Sequence, residues 1–139
     1  MAIVKVPNFG ITSATSSIAT SQTTSSTSYT DLSTAGPSVT LSTGTKALVI
    51  VSASIRMQTD GQTAFMSYAV SGATTVAASD TVSLQKQQVS SQNELIRASA
   101  ASVATLTAGS NTFTAKYRSS AANTSTFVDR SIVVIDLGS

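Results

Sequence analysis

The stretch KALVIVSASIRMQ at residues 46–58 decides the fold class. Ala47, Val49, Val51, Ala53, Ile55 and Met57 stand at alternate positions, so an extended backbone projects all six from one face. The opposite face starts with Leu48 and Ile50 and turns polar at Ser52, Ser54 and Arg56. The pattern predicts a strand with one face in the core and the first half of the other face against a second subunit.

Working outward, the same alternation recurs. Residues 38–42 read as a short strand closed by Thr43 and Gly44. Asp60-Gly61 is a hairpin signal, because glycine tolerates positive φ there, and it leads into a strand over 63–71. Residues 81–84 are a candidate strand, and the Gln- and Ser-rich run 85–93 reads as an exposed loop. Residues 98–106 read as a strand, with Val103 and Thr105 outweighing the helix preference of their alanines. Turns at 108–111 and 119–123 bracket a strand over 112–118, and a last strand runs over 126–137. Its Ile132-Val133-Val134-Ile135 segment is apolar on both faces, as in a strand covered on both sides. Seven or eight strands with frequent turns predict an all-β, two-sheet antiparallel sandwich of jelly-roll type.

Composition points away from catalysis. The 139 residues include no His and no Cys, only 10% are charged, and about a third are Ser or Thr. Without His or Cys, Ser-His and Cys-His nucleophiles cannot be built, and thiolate metal sites and disulfides are excluded. The six carboxylates, Asp31, Asp60, Asp80, Glu94, Asp129 and Asp136, are isolated in sequence, which argues against an acid pair for glycoside hydrolysis. The sequence has no Asp-rich calcium loop and no glycine-rich nucleotide motif. The chain is therefore expected not to be an enzyme and to use no metal or cofactor. Lys116, Arg118, Asp129 and Arg130 are expected to form cross-strand ion pairs on adjacent strands. Most of the tyrosines and phenylalanines read as packing residues rather than a sugar platform.

Net charge is +2, from eight basic against six acidic residues with no basic run, so no nucleic-acid partner is expected. No stretch has the apolar length of a membrane span. Residues 1–8 carry no continuous apolar core of a secretory signal, so synthesis in the host cytoplasm is expected.

Residues 1–28 read as an extended N-terminal arm ahead of a domain over 29–139. Ile3, Val4, Val6, Phe9 and Ile11 concentrate apolar surface at the tip, while residues 12–28 are almost entirely Ser, Thr, Ala and Gln. Such a segment buries too little to fold alone, and its apolar tip predicts docking on a neighbour.

Several segments together carry a family resemblance: YTDL at 29–32, GPSVTL at 36–41, GTKALV at 44–49, GSNTFTAKYR at 109–118 and TFVDRSIVV at 126–134. They resemble small tailed-phage virion proteins with trimeric jelly rolls of the tumour-necrosis-factor and C1q type, over about residues 28–137. That family includes capsid decoration proteins and fibre-tip domains. The resemblance implies a homotrimer, and the short preceding segment favours a decoration, or cement, protein on the exterior of the virion capsid. Its partner would be the major capsid protein of the phage head, met by the arm at Ile3, Val4, Val6, Phe9 and Ile11. Leu48, Ile50, Ile132 and Val134 are the expected trimer seam. The competing expectation is a receptor- or carbohydrate-binding fibre domain whose loop 85–93 meets a host-surface ligand, and a minor tail component is a third.

Overall fold

The computed structural model describes residues 10–90 and 93–138. The strands are β1 (Ser13–Ile18), β2 (Gln22–Thr24), β3 (Ser38–Thr43), β4 (Lys46–Met57), β5 (Thr63–Gly72), β6 (Leu84–Gln87), β7 (Ile96–Thr105), β8 (Gly109–Ser119) and β9 (Ser125–Gly138). One sheet has the order β1-β9-β4-β7, with β2 also paired to β9; the other runs β3-β8-β5-β6. All pairings are antiparallel, and sequence neighbours such as β3 and β4 or β8 and β9 lie in opposite sheets. This is the expected jelly-roll sandwich.

The decisive strand behaves as its pattern dictates. Ala47, Val49, Val51, Ala53, Ile55 and Met57 are all buried. They meet Met66, Tyr68 and Val70 of β5, Phe113, Ala115 and Tyr117 of β8, and Phe127, Ile132 and Val134 of β9 in one core. Tyr117 and Phe127 pack edge-on at 4.9 Å between ring centroids, the geometry that aromatic quadrupoles favour.

Three elements differ from expectation. Residues 13–24, expected as part of an extended arm that docks on a neighbour, form β1 and β2 on the chain's own β9, with Ala14 packed against the core. An edge strand needs only one half-buried face, and small residues suffice for that. Residues 80–82 form a single 3-10 turn capped by Ser79, whose side chain accepts from the Thr81 amide. The run 85–93 is not simply a loop: β6 occupies its first part, and Lys86 and Gln88 are buried. The Lys86 ammonium donates to Gln88 Oε1 at 3.0 Å and to the Glu94 carbonyl at 2.7 Å. Burial lowers its pKa.

A bulge in β9 shapes the rest. Ser52 pairs with Ser131 but Ser54 pairs with Val128, so two residues of β9 oppose Ala53. Asp129 sits there at φ 50. Such an extra residue reverses which alternate positions face inward. Phe127 is buried on one side of the bulge, and Arg130, Ile132 and Val134 are buried on the other.

Candidate assembly interface

Cross-strand registers assemble the outer face of the larger sheet row by row. Ser13 pairs with Ile135, Ile135 with Leu48, and Leu48 with Val103. The next row is Thr15, Val133, Ile50 and Ala101. The third is four serines: Ser17, Ser131, Ser52 and Ser99. The face is therefore divided. One end is an apolar patch spanning β9, β4 and β7. The other is a hydroxyl surface, where Ser52 and Ser131 share a 2.5 Å hydrogen bond. Val103 is 57% exposed and Leu137, beyond Ile135, is 51% exposed. Exposed Lys46, paired with Gly138 and Thr105, borders the patch at one end, and the two rows between it and the serines are apolar or hydroxyl-bearing, a composition seen at the centre of subunit contacts.

This geometry corrects the expected seam. Leu48 and Ile50 do face outward. Ile132 and Val134 are fully buried in the core, and the outward residues beside Leu48 and Ile50 are Ile135 and Val133. The segment 132–135 is apolar on both faces, so its sequence does not mark which pair turns inward; the bulge and the register decide. Of the expected arm residues, Ile3, Val4, Val6 and Phe9 lie outside the described residues, and Ile11 is 76% exposed.

The expected cross-strand ion pairs are also corrected. β8 and β9 belong to opposite sheets, so Lys116 and Arg118 cannot pair along a sheet with Asp129 and Arg130. Lys116 instead meets Asp31 at 2.7 Å, and Arg118 forms a fork onto both oxygens of Asp80. The Arg118 guanidinium also lies 3.8 Å from the centre of the Phe65 ring, a cation–π contact. Tyr29 Oη donates to Asp80 Oδ1 at 2.8 Å. Hydrogen bonding from Arg118 holds the Asp80 carboxyl below its ordinary range. Asp80 therefore favours the folded state above the ordinary carboxylate pKa, and that contribution fades as acid carries the pH down through its lowered value. The side chain is about half exposed, so the contribution is small.

Arg130 is fully buried, and among the described residues no carboxylate pairs with it. Its Nη2 donates to Gln22 Oε1 at 2.9 Å and to the Thr20 carbonyl at 3.4 Å, and its Nη1 to the Gly36 carbonyl at 3.4 Å. Tyr117 Oη donates to that same Gly36 oxygen at 2.8 Å. The guanidinium is 5.4 Å from the Tyr117 ring centre. The arginine thus ties the β1–β2 connection and the loop before β3 to the core of the sandwich. Sequence reading gave it a surface role, because in an unbulged strand Val128, Arg130, Ile132 and Val134 would all share the face opposite the buried Phe127.

Burial pushes the Tyr117 hydroxyl up to about 12; burial and the bond to Asp80 push Tyr29 to about 12. Each is then held protonated in the folded chain above its unfolded value of about 10. The stabilisation is complete below about pH 10 and disappears as pH rises toward 12. Urea midpoints are expected to fall steeply across that window, with late phenolate absorbance accompanying unfolding. Complete tyrosine ionisation near pH 10 in a chain that stays folded would contradict this.

Among the described residues no three His, Cys, Asp or Glu side chains cluster as a metal site. No protein-family model matches the sequence, and a search of curated proteins gives no match. Solved structures do match. The VP2 subviral particle of infectious bursal disease virus superposes with a TM-score of 0.59 at 13% identity, over 98% of this chain. The chain carries a jelly-roll fold. It spans 37% of the VP2 chain, and at that identity the likeness concerns the fold alone. Eiger TNF from S. frugiperda matches 70% of this chain and 62% of its own length, at 16% identity and a TM-score of 0.45.

Proposed function

We propose that this chain is a structural virion protein that decorates a tailed-phage head, sitting as a homotrimer on the major capsid protein. The observation that carries the reading is the divided outer face. A folded sandwich presents Leu48, Ile50, Val133, Ile135 and Val103 together, beside a hydroxyl-rich half built on Ser17, Ser131, Ser52 and Ser99. An apolar half-face of this kind is stabilised by covering it with another subunit. The jelly-roll fold shared with a viral capsid protein agrees with a structural, non-enzymatic role.

In this reading the apolar patch forms the trimer seam, and Ile3, Val4, Val6, Phe9 and Ile11 dock on the capsid lattice. Three weak attachments then act as one strong one, because binding of the first raises the effective concentration of the others. Bridging neighbouring capsomers in this way would resist outward pressure from the packaged genome. The competing fibre-tip reading has less to rest on, since β6 and the buried Lys86 and Gln88 occupy much of its expected contact loop.

Co-sedimentation with particles that lack the protein tests the proposal. The full chain is expected to pellet with the heads, and a chain lacking residues 1–11 to stay in the supernatant while keeping its native mass. Equal pelleting of both would remove the arm from the mechanism. Failure of the full chain to bind heads would overturn the decoration reading.

A further inference from the structure

Of the strands that end a sheet, β7 is the longest. It runs ten residues, against six for β1 and β3 and four for β6. Its pairing with β4 is unbroken from Thr105 opposite Lys46 to Ile96 opposite Ile55, so no bulge twists the edge away. The strand contains no proline and no glycine. Its one charge, Arg97, is laid back over the sheet, where Nη1 donates to the Asp129 carbonyl at 2.5 Å and Nη2 to Ser52 Oγ at 3.3 Å. The usual devices that close a sheet edge are not used on this one.

One contact fixes the phase of the backbone groups. The Leu106 amide donates to the Thr45 carbonyl at 2.8 Å, so the even-numbered residues of β7 direct their amides and carbonyls at β4. Those of Arg97, Ser99, Ala101, Val103 and Thr105 point the other way, to the open edge. Among the described residues nothing pairs with them there. On the inner face Ala98, Ala100, Ser102 and Ala104 are small and half-buried. Beside Ala104 a cavity of about 200 Å³ opens between the sheets, walled by Tyr68, Val70, Val76 and Val82.

We propose that this edge accepts an extended segment of the major capsid protein as an added strand. The partner's identity rests on the decoration reading, and its conformation on the unpaired backbone. Five donors and five acceptors repeating along an extended strand are matched by another extended backbone. Those bonds give affinity without reading sequence. The cavity beside Ala104 adds a preference for an aliphatic side chain on the segment's inward face. A second β7 would pair about a two-fold axis, which the proposed homotrimer does not contain.

Proline substitution tests the edge. Ala101→Pro removes an edge-facing amide, a place where proline is tolerated, and should keep the native mass and a cooperative melt. Ala100→Pro removes an amide that faces β4 and should unfold the chain, which checks the phase. In co-sedimentation with heads, Ala101→Pro is expected to bind about tenfold more weakly, or worse, than the natural chain. Hydrogen exchange in the head-bound natural chain is expected to slow at the amides of Arg97, Ser99, Ala101, Val103 and Thr105, and it decides the question if the variant misfolds. Fast exchange at those amides in a pelleted chain, or undiminished pelleting of folded Ala101→Pro, would overturn the strand addition and leave decoration standing. Slowing at the same amides as the free chain is concentrated would assign the edge to a second copy and also overturn the proposal. A natural chain that does not pellet would overturn the decoration reading, and this inference with it.

Discussion

Replacing Arg130 by Ala is expected to cost about 3 kcal/mol or more of folding stability, the range of large-to-small changes in a packed interior. The argument follows from what the side chain holds. Removal empties a fully buried site beside Tyr117 and withdraws donors from Gln22 Oε1 and the carbonyls of Thr20 and Gly36. Those acceptors belong to segments with little apolar anchorage of their own, so the β1–β2 edge should loosen first. Hydrogen exchange is expected to accelerate over residues 13–24 before it does over β4. Arg130→Lys should recover only part of the loss, because an ammonium cannot reach three acceptors in a planar fork. Arg130→Met keeps most of the volume without a buried charge, and should fall between alanine and wild type. A urea titration showing less than about 1 kcal/mol of loss for Arg130→Ala would contradict the role given to this residue.

The second large effect separates the two faces of the larger sheet. In the proposed trimer, Ile50→Asp is expected to disperse the subunits, weakening self-association by two orders of magnitude or more, because it places an unpaired charge at the centre of the apolar patch. The monomer should keep its far-ultraviolet spectrum and a cooperative melt. Ile132→Asp places the same charge in the core, where the native side chain has no exposure, and should abolish folding instead. If Ile50→Asp remained trimeric, the seam would lie elsewhere. If Ile132→Asp folded and dispersed, the face assignment itself would be inverted.

The strand over residues 46–57 was legible because every second position from Ala47 to Met57 is apolar and most of its apolar residues are β-branched or small. The same logic located β5 and β8. It failed on β9 for a definite reason. Alternation carries no phase across a bulge, and the extra residue near Asp129 at φ 50 reverses the inward set between Phe127 and Ile132. With that reversal went both the seam residues Ile132 and Val134 and the burial of Arg130. The edge strands β1 and β2 were missed because Ser and Thr dominate them; their one signal was the even spacing of Ala14, Ser16 and Ile18, whose sides are half-buried. The outer patch was half legible, since Leu48 and Ile50 marked it. Its completion by Val133, Ile135 and Val103 required cross-strand register, which no single segment encodes.

The decoration role is tested most directly by electron microscopy of protein-free heads mixed with the purified chain. The account predicts regular three-lobed density over the three-fold or quasi-three-fold positions of the lattice, absent when residues 1–11 are deleted. Bare heads, or density confined to the tail, would contradict it.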